Sequence, residues 1–460
     1  MTENKKQELR HLLQKATESL KVELNSTNKP QLPSVIDVSQ YSSVLQQAWQ
    51  DHSLSTPSLA MCYKARVTSE SARLQLLDFI RTEYAQFINE EDYIQSACTF
   101  ISRTGPFQGF PLDYLLEQLL KIAIVYGIEK AVSDFERGIE NGQQSFRYIA
   151  LLKGVRVETE IQIFKGVRLV PLPLSTSEIS NYLPDMVNFS MFPDSLMGKT
   201  LLIIDASVSP IFHKPYPELF NDDFHEDKLP FHVEVAGGKF SDFKVEEFYK
   251  NFCQALSLSG NSAVQTVIDW RSLPQDELFN LSTLSVNHIA HHYNAGRLNT
   301  FIDVDEVQVQ KIQCLYDVLT DCKTETHGKL QIPIDRWIKS KADQDPVDKM
   351  IDLGIAFESL YLSGDNQTSE LSLRLQLRAA WFLGKDKTHR QELMADFRDI
   401  YKLRSKAVHT GKLSSRKNKE SDTEEIVTEF IPKAQDLCRD SIVKILKEGK
   451  IPDWNTLILG

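Results

Sequence analysis

Several features that would settle a function class at once are missing from this sequence. Six cysteines, Cys62, Cys98, Cys253, Cys314, Cys322 and Cys438, are scattered over 460 residues. No two stand as CxxC, and none has a histidine at zinc-finger spacing. Structural zinc and a disulfide framework are therefore set aside. Single cysteines in a long chain read as reduced, buried side chains. No apolar run approaches the ~18 residues of a membrane span. The opening stretch, "MTENKKQELRHLLQKATESL", has no apolar signal-peptide core. The expectation is a cytoplasmic protein without a membrane partner. Repeats and low-complexity tracts are lacking too. "GKT" at 198–200 lacks the glycine of a phosphate loop, because Pro193 stands five positions before Gly198. A strand pattern follows where that motif needs a helix, so "LLIID" reads as a buried strand ending in an aspartate.

What is present fits a globular protein. Hydrophobic residues make up 42% and charged residues 25%, an ordinary balance. A length of 460 residues exceeds one core and implies two or three domains. The net charge of −11 is uneven. Residues 331–460 carry 22 basic against 21 acidic side chains, and the first 330 carry 30 against 42. Within 398–419 stand eight basic residues (Arg398, Lys402, Arg404, Lys406, Lys412, Arg416, Lys417, Lys419) and one acid, Asp399. Such a local run on an acidic protein suits a polyanion; it also suits a solvated face.

Apolar spacing predicts a helix over 3–24, through Leu9, Leu12, Leu13, Ala16 and Leu20. A polar break follows at 25–34, and residues 70–138 read as mostly helical. The alternation in "VRVETEIQI" (155–163) predicts a strand. "VRLVPLP", "KTLLIID" and "AVQTVIDWR" read likewise. Residues 276–330 read as a mixed connector. From 345 the helical period returns with good punctuation. Asp345-Pro346 is an N-cap followed by proline at the first helical position. A second helix runs from about Thr368 to Phe382. Thr388 and Gln391 fit a capping box for a third, with Leu393, Phe397, Ile400, Tyr401 and Val408 inward and Gly411 as its stop. A fourth runs over 424–448, kinked at Pro432. Four helices with short loops imply a bundle. The expected class is α+β: a mainly helical region (1–140), a β-containing region of unknown role (141–330), and a C-terminal four-helix bundle (331–460).

Two constellations carry candidate chemistry. His288, His291 and His292 in "NHIAHHY" include an i, i+4 pair able to chelate a metal. No carboxylate accompanies them at a recognised spacing, although His213, His225 and Glu226 are further donors in the chain. Packing histidines are the preferred reading, and no metal or cofactor is expected. The second is Arg404 and His409 in "IYKLRSKAVHTGKL", inside the basic run. Imidazole moves protons near neutral pH, and guanidinium forks onto phosphate oxygens. The pair suits a phosphodiester, and RNA brings its own nucleophile, the 2′-hydroxyl. An arginine that forms an ion pair and a histidine that favours the helix dipole is the plainer alternative. Five helical steps turn about 140°, so the two side chains do not share a face. Either the helix loosens before His409, or two copies meet and pool their residues.

Three blocks in order, "DRWIKSKADQDPVDKMIDLGIAFESLYL", "ELSLRLQLRAAWFLG" and "RDIYKLRSKAVHTG", resemble the HEPN superfamily, and within it the Apea-like HEPN group. The resemblance covers about 330–450. It implies a four-helix bundle that dimerises and forms a metal-independent endoribonuclease site. Arg404 and His409 then map to the catalytic pair. Ser405 maps to the assisting polar position, and Glu358 to the acidic residue of an earlier helix facing the site. Arg374 and Arg378 match the group's pattern and also suit a structural role. Lys402, Lys406, Lys412, Arg416 and Lys417 are expected to hold the RNA backbone. The partners implied are RNA and a second copy or higher homo-oligomer, with a phage-derived trigger or an antidote besides. Members of this kind resemble toxins and antiphage defence effectors that halt growth by cutting RNA. Gly411 stands where some relatives carry a tyrosine open to adenylylation, so that control is not implied. By analogy the first 330 residues sense a trigger or restrain the nuclease. The alternative expectation is a non-catalytic RNA-binding or dimerisation module with a sensing N-terminal region.

Overall fold

The computed structural model describes residues 1–24, 35–37, 63–89, 92–94, 110–172, 200–212, 232–238, 245–272, 301–322, 324–342, 345–362, 370–413 and 425–459. Among them are twelve α-helices and thirteen strands, a mixed α+β architecture. Compact contacts divide the chain into two units. The first holds Met1–Ala150, Phe164–Phe243 and Ile268–Ile289; the second holds Leu151–Ile163, Lys244–Val267 and Ala290–Gly460.

The first unit begins with α1 (Glu3–Glu18), shorter than the helix expected over 3–24. Leu9, Leu13 and Ala16 are buried, as the spacing required. Leu20 does not continue that face, because Leu20–Leu24 is a strand, β1. It pairs antiparallel with β2 (Val35–Asp37) and β3 (Tyr63–Val67). Helices α2 (Glu70–Glu83), α3 (Leu112–Val125) and α4 (Ile128–Ile139) pack with α1. Short strands β4 (Tyr93–Ile94) and β5 (Phe110–Pro111) precede α3. Tyr84 closes this core by donating its phenol to the Phe135 carbonyl at 2.6 Å. The sheet of this unit has β10 (Thr200–Ser209) between β6 (Gln144–Lys153) and β9 (Val167–Pro171), with β11 (His232–Val235) also on β10. The aspartate after "LLII" is Asp205, which pairs with Arg168 at 2.6 Å.

The expected strand over 155–163 is split into β7 (Val155–Arg156) and β8 (Ile161–Phe164). In the second unit, β7 pairs in parallel with β13 (Ile302–Asp303). Helix α5 (Val245–Gly260) is buried along most of its length and precedes β12 (Gln265–Ser272). The stretch expected as a mixed connector contains α6 (Glu306–Asp321) and the start of α7 (Thr324–Ala342). Asp305 caps α6 by accepting from the Gln308 N–H at 2.8 Å, and α7 carries Pro333 in its interior.

The four expected C-terminal helices are α8 (Pro346–Tyr361), α9 (Leu371–Leu383), α10 (Lys387–Thr410) and α11 (Ile431–Glu448). Helix α8 lies at their centre and packs on α7, α9, α10 and α11. A short α12 (Trp454–Leu459) packs on α9. Asp345 caps α8, accepting from the Val347 N–H at 2.7 Å, with Pro346 in the first turn. Helix α10 starts earlier than the capping-box reading. Asp386 is its cap and accepts from the His389 N–H at 2.9 Å, leaving Thr388 inside the helix. A carboxylate accepting that bond is also favoured by the helix dipole. Before α11 the chain takes a π turn at Ile426–Phe430. Pro432 offers no N–H and its ring crowds the carbonyl four residues back, which the wider turn relieves.

Aromatic rings fill this core. Phe357 meets Phe397 edge-on with centroids 5.0 Å apart. Tyr361 lies 5.3 Å from Trp454 and 5.8 Å from Phe397. Asp352, buried on α8, takes Arg336 at 2.8 Å and has Lys339 at 3.1 Å, both from α7. Trp337 of α7 donates its indole N–H to the Gln435 carbonyl of α11 at 2.9 Å.

Candidate functional site

Helix α10 remains α-helical through Thr410. It does not loosen before His409. Gly411 then ends it in the left-handed region at φ 62°, its N–H returning to the Ala407 carbonyl at 2.9 Å. The Thr410 hydroxyl donates back to the Lys406 carbonyl at 2.8 Å, which ties the last turn. His409 is exposed in that turn, where a cation is favoured by the helix dipole. Leu413 is buried again.

Arg404 points the other way, onto α8. Its Nη2 donates to Glu358 Oε2 at 2.9 Å. The side chains of Arg404 and Glu358 are 25% and 29% exposed, so water still screens the pair and its net strength is about 1 kcal/mol. The Arg404 Nε–H is buried and has no acceptor among the described residues, and an unmet buried donor costs about 1–3 kcal/mol. The stem crosses α8 at Gly354, one turn before Glu358. A methyl at Gly354 would lie 2.1 Å from Arg404 Cγ.

The structure thus brings Arg404 and Glu358 together and leaves His409 on another face. The imidazole lies about 7.5 Å further along the axis and about 140° around it. Ser405 and Lys406 are half-buried; Lys402 and Lys412 are exposed. Lys402 reaches Asp399 at 3.2 Å, an i, i+3 pair on an open face that is readily exchanged for a phosphate. Arg416 and Lys417 lie outside the described residues, as do His213, His225, Glu226, His288, His291 and His292. Among the described residues, no group of three or more His, Cys, Asp or Glu side chains is placed to hold a metal ion. No described helix is long and apolar enough to cross a membrane.

Other expected residues fall in different places. Arg378 is buried and donates to the Tyr361 carbonyl at 2.6 Å, so it caps α8. Burial pulls its guanidinium below the usual arginine range. Val408, expected inward, is 49% exposed; its position on α10 turns it to solvent with His409. Cys253 and Cys438 are buried, whereas Cys314 is exposed. Burial raises the Cys253 thiol to about 11. Gly354 was missed by sequence reasoning. Its signal was there: a glycine inside "DLGIAFE" costs a helix about 1 kcal/mol against alanine and asks for a packing reason.

No family model matches the chain. Neither a curated protein nor a solved structure matches it.

Proposed function

We propose that this chain is a metal-independent endoribonuclease of the HEPN kind, working as a homodimer through its C-terminal bundle. His409 takes the proton of the RNA 2′-hydroxyl, whose oxygen attacks the adjacent phosphorus. The bond to the 5′ oxygen breaks, and that oxygen receives a proton. The products are a 2′,3′-cyclic phosphate and a 5′-hydroxyl. Arg404 stabilises the charge on the pentacoordinate phosphate, Ser405 assists beside it, and Glu358 holds the guanidinium. Lys402, Lys406 and Lys412 hold the RNA backbone, with Arg416 and Lys417 continuing the basic run. The biological role that fits is a cytoplasmic toxin or antiphage effector, with residues 1–330 answering a trigger or an antidote.

The observation that carries this reading is the fixed guanidinium on α10 beside Glu358, with an exposed imidazole on the same continuous helix and another face. One copy cannot bring the two groups to one phosphate; two copies can. The test is cleavage of RNA by purified protein in chelator. Cleavage persists for the wild type and falls by about 10³-fold or more in Arg404→Ala and in His409→Ala. Mixing the two variants restores about a quarter of the wild-type rate, because half of a C2 population is mixed and each mixed dimer holds one intact composite site. Unchanged cleavage in both single variants removes the proposal.

A second reading, a non-catalytic RNA-binding or dimerisation module, draws on the same ion pair. A guanidinium already engaged by Glu358 joins α8 to α10 whether or not chemistry occurs. Binding without cleavage by the full chain favours it.

A further inference from the structure

A mid-helix glycine in a packed bundle calls for a reason, and Gly354 has one that the ion pair alone does not supply. Built onto its backbone, a Cβ would stand 2.1 Å from Arg404 Cγ, 3.1 Å from Cβ and 3.1 Å from Cδ. These atoms are the root of the arginine, not its free end. Cβ is fixed by α10, which Phe397 and Ile400 hold in the core, and Cγ and Cδ can leave only by a change of rotamer that carries the guanidinium off Glu358. Gly354 and Glu358 are four residues apart and so face the same way from α8. Together they form a slot and a stop: the stem passes over the bare backbone and the guanidinium meets the carboxylate.

The Nε–H, buried and without an acceptor among the described residues, is consistent with a stem sunk against α8. Here the stem is sunk against α8 and one guanidinium nitrogen, Nη2, reaches Glu358. We infer that Gly354 is a positioning residue, the missing side chain that sets the height and orientation of the Arg404 guanidinium for phosphate. This inference rests on the nuclease reading for its purpose, but not for its geometry.

The experiment uses the full chain and has two readouts. The first is thermal stability of Gly354→Ala in the wild-type and the Arg404→Ala backgrounds. If the slot serves the stem, the added methyl lowers Tm in the wild type, and the loss largely vanishes once Cγ is removed. If Gly354→Ala fails to fold alone but folds beside Arg404→Ala, the coupling is the same in stronger form. An equal loss in both backgrounds, or failure to fold in both, shows that Gly354 serves only helix packing and overturns the inference. The second readout is RNA cleavage at the permissive temperature. Gly354→Ala lowers kcat by about tenfold or more while KM stays within about twofold, the signature of a misplaced transition-state contact. A KM-only effect overturns the positioning role. If the wild type itself cuts no RNA, the nuclease reading fails, and the stability cycle still decides the slot.

Discussion

At the scale of single residues, the informative groups are those whose partners can be counted. Among the described residues, the Glu358 carboxylate accepts from the Arg404 side chain and from no other side chain. Glu358→Gln keeps the shape and removes the charge. The expected result is a fall in kcat of about tenfold, with stability lowered by no more than about 1 kcal/mol, as suits a screened pair. Cleavage assays and denaturant melts on one sample separate the two. Tyr361 is a control of the opposite kind. The Ser441 hydroxyl already gives its proton to the Leu437 carbonyl at 2.6 Å. The Tyr361 phenol, 2.6 Å from Ser441 Oγ, must therefore be the donor, and burial pushes its pKa well up. It is a structural hydroxyl, buried away from α10's exposed face.

At the scale of elements, the ends of helices decide more than their interiors. Gly411 has nothing within 4 Å of where a Cβ would stand, yet its φ is +62°. Gly411→Ala therefore meets backbone strain and no clash. Its cost is about 1 kcal/mol, read from a shift of the denaturation midpoint with an unchanged slope. Much at this scale was legible beforehand. The Asp345-Pro346 start, the Gly411 stop and the inward Leu393, Phe397 and Ile400 follow from capping chemistry and period alone. What stayed hidden has physical causes. "LKVEL" continues the helical spacing of α1, and only pairing with β2 and β3 makes it a strand. Thr388 mimics a cap that Asp386 takes two residues earlier. Val408 fits the helical stripe but is half exposed, left uncovered by the described residues of the bundle. The resemblance implied that Glu358 on an earlier helix faces Arg404, and the two meet; that one turn of α8 would also carry Gly354 to that arginine's stem required three dimensions.

At the scale of the whole molecule, two half-buried bases shape the response to pH. His327 on α7 lies below its ordinary value because burial disfavours its charge, with Lys250 of α5 adding to the effect and Glu247 opposing it. The folded form then refuses a proton that the unfolded chain accepts. Stability attributable to His327 is present above about 6.5 and is lost as the pH falls below it. Lys341 is pulled down to about 8, by burial first, against the attraction of Asp436. Between that value and the ordinary lysine range the unfolded chain holds the extra proton, so this contribution rises with pH there. Melting temperatures measured from pH 5 to 10 should rise at both steps; His327→Gln flattens the first and Lys341→Met the second. A final consequence concerns α10, whose 24 residues form one unbroken rod. Lengthening it by one residue between positions 404 and 409 would swing the imidazole by about 100°, and no loop exists in that interval to absorb the error. Such a rigid ruler fixes the spacing of the two backbones within a subunit, so in the proposed assembly the approach of the second copy becomes a dial for switching the chemistry on.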